Sequence, residues 1–122
     1  MADRRPKLLF DAITAMQAAQ EFVAGLDLSA YRADRLRRSA VERQLEILGE
    51  AAARLLKEDP ALAEQVPALR LAIGMRNRII HGYDGVDDET VFRTVEGHLP
   101  GLLLHLQQQL ALLAPPGRSP TA

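Results

Sequence analysis

Cysteine is missing from all 122 residues, which excludes disulfides, thiolate metal sites and cysteine nucleophiles, and leaves no thiol redox chemistry. Tryptophan is missing too, and Tyr31 and Tyr83 are the only tyrosines, so stacking aromatics for single-stranded bases are nearly absent and any nucleic-acid binding is expected to be phosphate-driven, with weak sequence preference. Charge of one sign is not in excess: a formal net charge of −1 supplies no global field, and a polyanion could be held only by a local patch. No apolar run approaches the roughly 18 residues of a membrane span. The basic N-terminus, Met1 to Lys7, leads into an amphipathic pattern rather than a signal core, so the chain is expected to be soluble, unexported and without a membrane partner.

What is present is abundant Ala, Leu, Glu, Gln and Arg with few β-branched runs, the composition of an all-α protein. At this length the chain fits one domain. A first helix is predicted from about Arg5 to Ala24, with Leu9, Ile13, Met16 and Val23 near a heptad stripe that Ala12, Ala15, Ala19 and Phe22 widen, and with Gly25 as its stop. Ser29 is the expected cap of a short helical turn, followed by a long helix to about Glu58 whose stripe is Val41, Leu45, Leu48, Ala52 and Leu55. Asp59-Pro60 reads as the opening of a short helix, and Pro67 as that of a longer one to about Ile80. Asp87 or Asp88 can cap a final helix with the stripe Phe92, Val95, Leu99, Leu102, Leu106, Leu110 and Leu113, which Pro100 should kink. The architecture expected is an antiparallel bundle of four main helices plus short ones, one domain over residues 1–113, with a flexible tail over 114–122.

The stretch Arg76-Asn77-Arg78-Ile79-Ile80-His81-Gly82-Tyr83 places two guanidiniums, an imidazole and a phenol within eight residues. Gly82 and Gly85 follow as a helix stop and a turn, which sets His81 at a helix C-terminus. Unpaired carbonyls at that end favour a cationic side chain, a setting that suits a His to proton transfer near neutral pH. Arg76 precedes His81 by five residues, roughly 140° around a helix axis, so the two share no face unless the backbone leaves the helix near His81.

The pattern R-x-x-x-x-H-x-Y, filled by Arg76, His81 and Tyr83, resembles the signature of HEPN-domain ribonucleases, specifically the HepT-like toxins of type VII HepT/MntA (HEPN/MNT) toxin–antitoxin pairs. The segment Ala40 to Ala51 is similar to the family's second long helix, and Asp84 to Glu96 to the start of its last, so the likeness spans about residues 5 to 112. The resemblance implies a HEPN-like homodimer that cleaves RNA in the prokaryotic cytoplasm without metal or cofactor. Arg76 and His81 would be catalytic, and Tyr83 would accept AMP from a nucleotidyltransferase antitoxin. Metal-free cleavage needs a base for the 2′-hydroxyl, an acid for the leaving oxygen and cationic donors for the developing charge, more roles than one Arg and one His fill. Two copies around one cleft would supply them. Two alternatives stay open: a non-catalytic helical module that binds a nucleotidyltransferase or a nucleotide through the same cluster, and a structural homodimer in which the cluster is an interface network.

Asn77 and Arg78 are candidates to hold flanking phosphates or the dimer partner. Glu46 and Glu50, four apart beside Gly49, lie where a neighbouring helix could approach closely, and salt bridges from them to Arg76 or Arg78 are expected. Arg32, Arg35, Arg37, Arg38 and Arg43 form a basic run that is a solvated face on the plain interpretation and an RNA track or docking surface on the functional one. His98 and His105 share a helical face as ordinary surface or boundary residues, and the missing Glu-x-x-His pattern argues against a carboxylate metal site.

Overall fold

The computed structural model describes residues 2–82 and 86–113, which form seven α-helices and no strand. Tyr83, and the tail over 114–122, lie outside the described residues. Helix α1 (Arg5–Val23) carries Pro6 in its first turn, where no amide partner is lost, and ends as the chain turns through Gly25 at φ 79°. Its stripe is buried as expected, with Leu9, Ala12, Met16 and Ala19 almost sealed from solvent.

Helix α2 (Leu28–Ala33) is capped by Asp27, whose carboxylate accepts the Ala30 amide at 2.8 Å, and not by Ser29. Ser29 already lies inside the first turn, too far along to reach an unpaired amide of that end. Asp34 then caps α3 (Arg35–Glu58) by accepting the Arg37 amide at 3.0 Å. All five residues of the stripe Val41 to Leu55 are buried, so the four-three spacing is the core seam of this helix.

Asp59-Pro60 forms a turn instead of opening a helix: the Asp59 carbonyl accepts the Leu62 amide at 3.1 Å, and α4 covers only Leu62–Gln65. Helix α5 (Ala68–His81) follows with Pro67 at its N-cap. Asp87 caps α6 (Asp88–Gly97), and α7 (Leu99–Leu113) begins two residues after it ends. The expected single helix kinked at Pro100 is thus two helices. Pro100 sits in the first turn of α7, where the missing amide costs nothing, and the break falls at Gly97-His98.

Helix α3 is the centre of the bundle, packed between α1 and α5, while α7 covers α1 and α6 lies against α1, α2 and α7. Leu45, Leu48 and Leu55 of α3 meet Leu9 and Met16 of α1, Leu69 of α5 and Leu106 of α7 in one core. Tyr31 of α2 tilts onto Phe92 of α6 with ring centroids 5.3 Å apart, fixing the start of α6 to the α2–α3 corner. Helix α5 rests mainly on α3, and its flank toward α6 and α7 is left open as a cavity of about 270 Å³.

Candidate functional site on α5

The buried side of α5 presents Leu69, Ala72 and Met75 to the core, and its seat on α3 is Gly49. A Cβ at residue 49 would collide with the Cβ of Arg76 and stand 2.9 Å from the Ala72 carbonyl oxygen. The bare backbone of α3 therefore admits the α5 backbone and the Arg76 stem together, which is close approach bought with a missing side chain. Arg76 is half-buried, its Nε is sealed from solvent without a hydrogen-bond partner, and its Nη1 donates to Asn77 Oδ1 at 3.2 Å.

The expected salt bridges from Glu46 and Glu50 to Arg76 or Arg78 do not form. Arg43 Nη1 takes Glu46 Oε2 at 3.1 Å and Arg54 Nη2 takes Glu50 Oε1 at 2.9 Å. Partners three and four residues away on the same helix face are already within reach and leave these carboxylates engaged. Among the described residues no carboxylate pairs with Arg76 or Arg78. Arg76 is thus a fixed cation with unspent donors, suited to an external anion such as a phosphate.

Helix α5 continues through His81 and becomes extended only at Gly82, with φ −81° and ψ 94°. The angular separation of roughly 140° between Arg76 and His81 therefore persists within one chain. His81, Asn77 and Arg78 are all exposed, and Asn77 lies one turn before His81 on the same face. By accepting from Arg76, Asn77 links the seated guanidinium to the exposed side on which the imidazole stands. His81 opens onto a depression of about 480 Å³ that Asn77, Arg78, Asp87 and Thr90 also line.

Asp87 was legible only as a helix cap and Thr90 not at all, yet they form the far wall of this depression. Thr90 Oγ1 donates to Asp87 Oδ2 at 2.7 Å, and this bond, with the amides of Glu89 and Thr90, holds the Asp87 carboxyl below its ordinary value. The basic run resolves mostly into pairing: Arg32 to Glu89 at 3.5 Å, Arg37 to Asp34 at 3.2 Å, Arg38 to Asp88 at 3.5 Å, and Arg43 to Glu46. Two of these pairs tie α2 and α3 to the first turn of α6. His98 and His105 are exposed, and among the described residues no three His, Asp or Glu side chains gather as a metal site would require.

Comparison with known proteins decides the lineage of this chain. The family model described as ribonuclease HepT-like matches residues 12–108, a span that holds Gly49, Arg76 and His81. The chain belongs to the HepT-like ribonuclease family. A Thermococcus cleftensis protein named "Probable ribonuclease HepT" is 32% identical over 94 residues, covering 77% of this chain and 84% of its own length. A Methanocaldococcus jannaschii protein whose name gives it as a candidate RNase is 33% identical over 92 residues, covering 75% of this chain and 78% of that one. Another from Caldanaerobacter subterraneus subsp. tengcongensis is 35% identical over 82 residues, 67% of this chain and 72% of that one. No solved structure matches the chain at comparable significance. The HEPN-type all-α fold expected from the motif is the one observed, and no helix among the described residues is long and apolar enough to cross a membrane.

Proposed function

We propose that this HepT-like chain is a metal-independent endoribonuclease, the toxin of a toxin–antitoxin pair, acting as a homodimer in the cytoplasm through Arg76 and His81. The observation that carries the proposal is the Arg76 guanidinium, seated on Gly49, without a carboxylate partner among the described residues, and linked through Asn77 to the face that bears His81. Arg76 clamps the scissile phosphate and stabilises the charge that builds on it. One His81 removes the proton of the 2′-hydroxyl as it attacks phosphorus. The second, from the other copy, protonates the 5′-oxygen as its bond to phosphorus breaks. Ile80, next to His81 and 46% exposed, offers apolar surface for that second copy.

Tyr83, two residues beyond His81, is proposed as the acceptor of AMP from a nucleotidyltransferase antitoxin. The added phosphate groups would occupy the approach to His81 and repel RNA.

The test is induced expression and RNA cleavage by wild type beside His81→Ala and Arg76→Ala, with circular dichroism and a dimer assay on each purified protein. His81→Ala is expected to lose about 10²- to 10⁴-fold in cleavage, the usual worth of a general acid–base group, while folding and dimerising normally. A wild type that cuts no RNA, with Tyr83 shown by mass spectrometry to be unmodified, would refute the enzyme and leave the non-catalytic binding module.

A further inference from the structure

The cleft beside His81 does not end at the helix terminus. Arg78 and Thr90 line both the depression that holds His81 and the neighbouring 270 Å³ cavity between α3, α5, α6 and α7. The second cavity has an aliphatic interior, with Leu48, Met75 and Leu102 in its walls, and the exposed Leu71 at its mouth. Its charged lining is Arg70 and Arg78, with no carboxylate, in a chain whose net charge is −1. An apolar slot with a cationic rim, adjoining the depression that holds His81, has the chemistry of a nucleotide site.

The polar edge of the slot adds selectivity. Thr94 Oγ1 donates to the Thr90 carbonyl at 2.7 Å, and Thr90 Oγ1 donates to Asp87 Oδ2 at 2.7 Å. A hydroxyl has one hydrogen, so both threonines have spent theirs and offer the cavity only lone pairs. Such an edge accepts hydrogen bonds from an exocyclic amino group and gives nothing to a carbonyl in the same place. Cytosine and uracil differ at that atom, N4 amino against O4.

We propose that this cavity is a nucleobase subsite, taking an amino-bearing base of the RNA whose phosphate Arg76 and His81 engage, with Thr90 and Thr94 accepting from its amino group. The assignment rests on the RNA substrate proposed above. With no Phe, Tyr or Trp in the lining, the base is held chiefly between aliphatic surfaces, and His98 is the one ring beside it.

The chain has no tryptophan, so Leu71→Trp places a sole indole at the cavity mouth, at a position 67% exposed and outside the core. CMP, UMP and inorganic phosphate are titrated against this full-length variant by fluorescence, and again with Thr94→Val added. NMR shifts of the threonine methyls in the unsubstituted protein provide the same ranking without the indole. CMP is expected to bind at least about tenfold tighter than phosphate, from burial of its apolar faces. It should bind about fivefold tighter than UMP, the difference one hydrogen bond supplies, and Thr94→Val should bring CMP to the level of UMP.

Equal binding of CMP and phosphate, equal binding of CMP and UMP, or discrimination that survives Thr94→Val would overturn the subsite. So would an indole signal that tracks protein concentration and ignores both nucleotides, the result of a second copy filling the cavity. The titration needs no turnover, so the two readings fail separately. A chain that cuts RNA without preferring CMP loses the subsite alone, and one that selects CMP but cuts nothing loses the catalytic role alone.

Discussion

Gly49 and Gly74 border α5 from opposite sides, and a methyl group added at each meets opposite surroundings. At Gly49, across on α3, it strikes the Arg76 Cβ and stands 3.0 Å from Arg76 Cδ. At Gly74, on the exposed side of α5 itself, it meets nothing within 4 Å. One side of the helix is thus closed against its neighbour down to the backbone, while the other is open to whatever binds there. The contrast separates two tasks. The closed side fixes where Arg76 begins, and the open side presents Asn77, Arg78 and His81 together with the cavities they line.

The same asymmetry should appear in stability. Leu69→Ala, on the closed side and fully buried, is expected to cost about 2–5 kcal/mol by cavity formation. Leu71→Ala, two residues on and mostly exposed, should change stability by less than about 0.5 kcal/mol. Urea unfolding of both variants measures the pair, and similar losses would mean that the cavity mouth is packed in solution. Gly49→Ala comes next, at about 1–3 kcal/mol, since the Arg76 stem and the Ala72 carbonyl must both give way. Because the displaced residue is Arg76, cleavage should fall further than folding does, by about 10²-fold at a temperature where the variant remains folded. Full activity in folded Gly49→Ala would show that the α3 seat does not position Arg76. Gly74→Ala should stabilise the protein by about 0.5–1 kcal/mol through helix propensity, a gain that thermal melts would detect.

The closed side was readable from periodicity, and the open side was not. The stripes Val41 to Leu55 and Leu99 to Leu106 are core seams because apolar spacing reports which face is buried, whatever lies opposite. Helix α5 ends at His81, where Gly82 marked the stop, although at φ −81° this glycine adopts a backbone open to any residue. Gly49 could be marked as a point of close approach, but the side chain it admits depends on how α5 is placed. The partners of Glu46 and Glu50 were misread because a cross-helix pair and a same-helix pair look equally good along a sequence, and the nearer one forms. Thr90 and Thr94 could not be recognised as a cavity edge, since the gap between α5, α6 and α7 is a tertiary fact with no periodicity of its own.

The open side has its own anchor, and pH should reveal it. Helix α6 walls the cavity, and its first turn is tied to α2 and α3 by Arg32–Glu89 and Arg38–Asp88. Glu42, half-buried on α3, faces this knot: burial first, then the Asp88 charge, raise its carboxyl above the ordinary value, Glu46 adds to the rise, and Arg38 partly offsets it. A carboxyl whose folded pKa lies above its unfolded pKa holds its proton more tightly when folded. It therefore favours the folded state at low pH, and that contribution is lost as pH rises through the folded value. Glu42→Gln removes the charged form, so it should raise the melting temperature near pH 7, and the gain should fade below about pH 4, where the unfolded carboxyl is protonated too. Partial exposure and screening keep the effect to a fraction of a kcal/mol. Melts of both proteins at pH 4 and pH 7 decide it. An equal gain at both values would assign the effect to packing, and a loss confined to pH 7 would mean that attraction to Arg38 outweighs the cost of burying the charge.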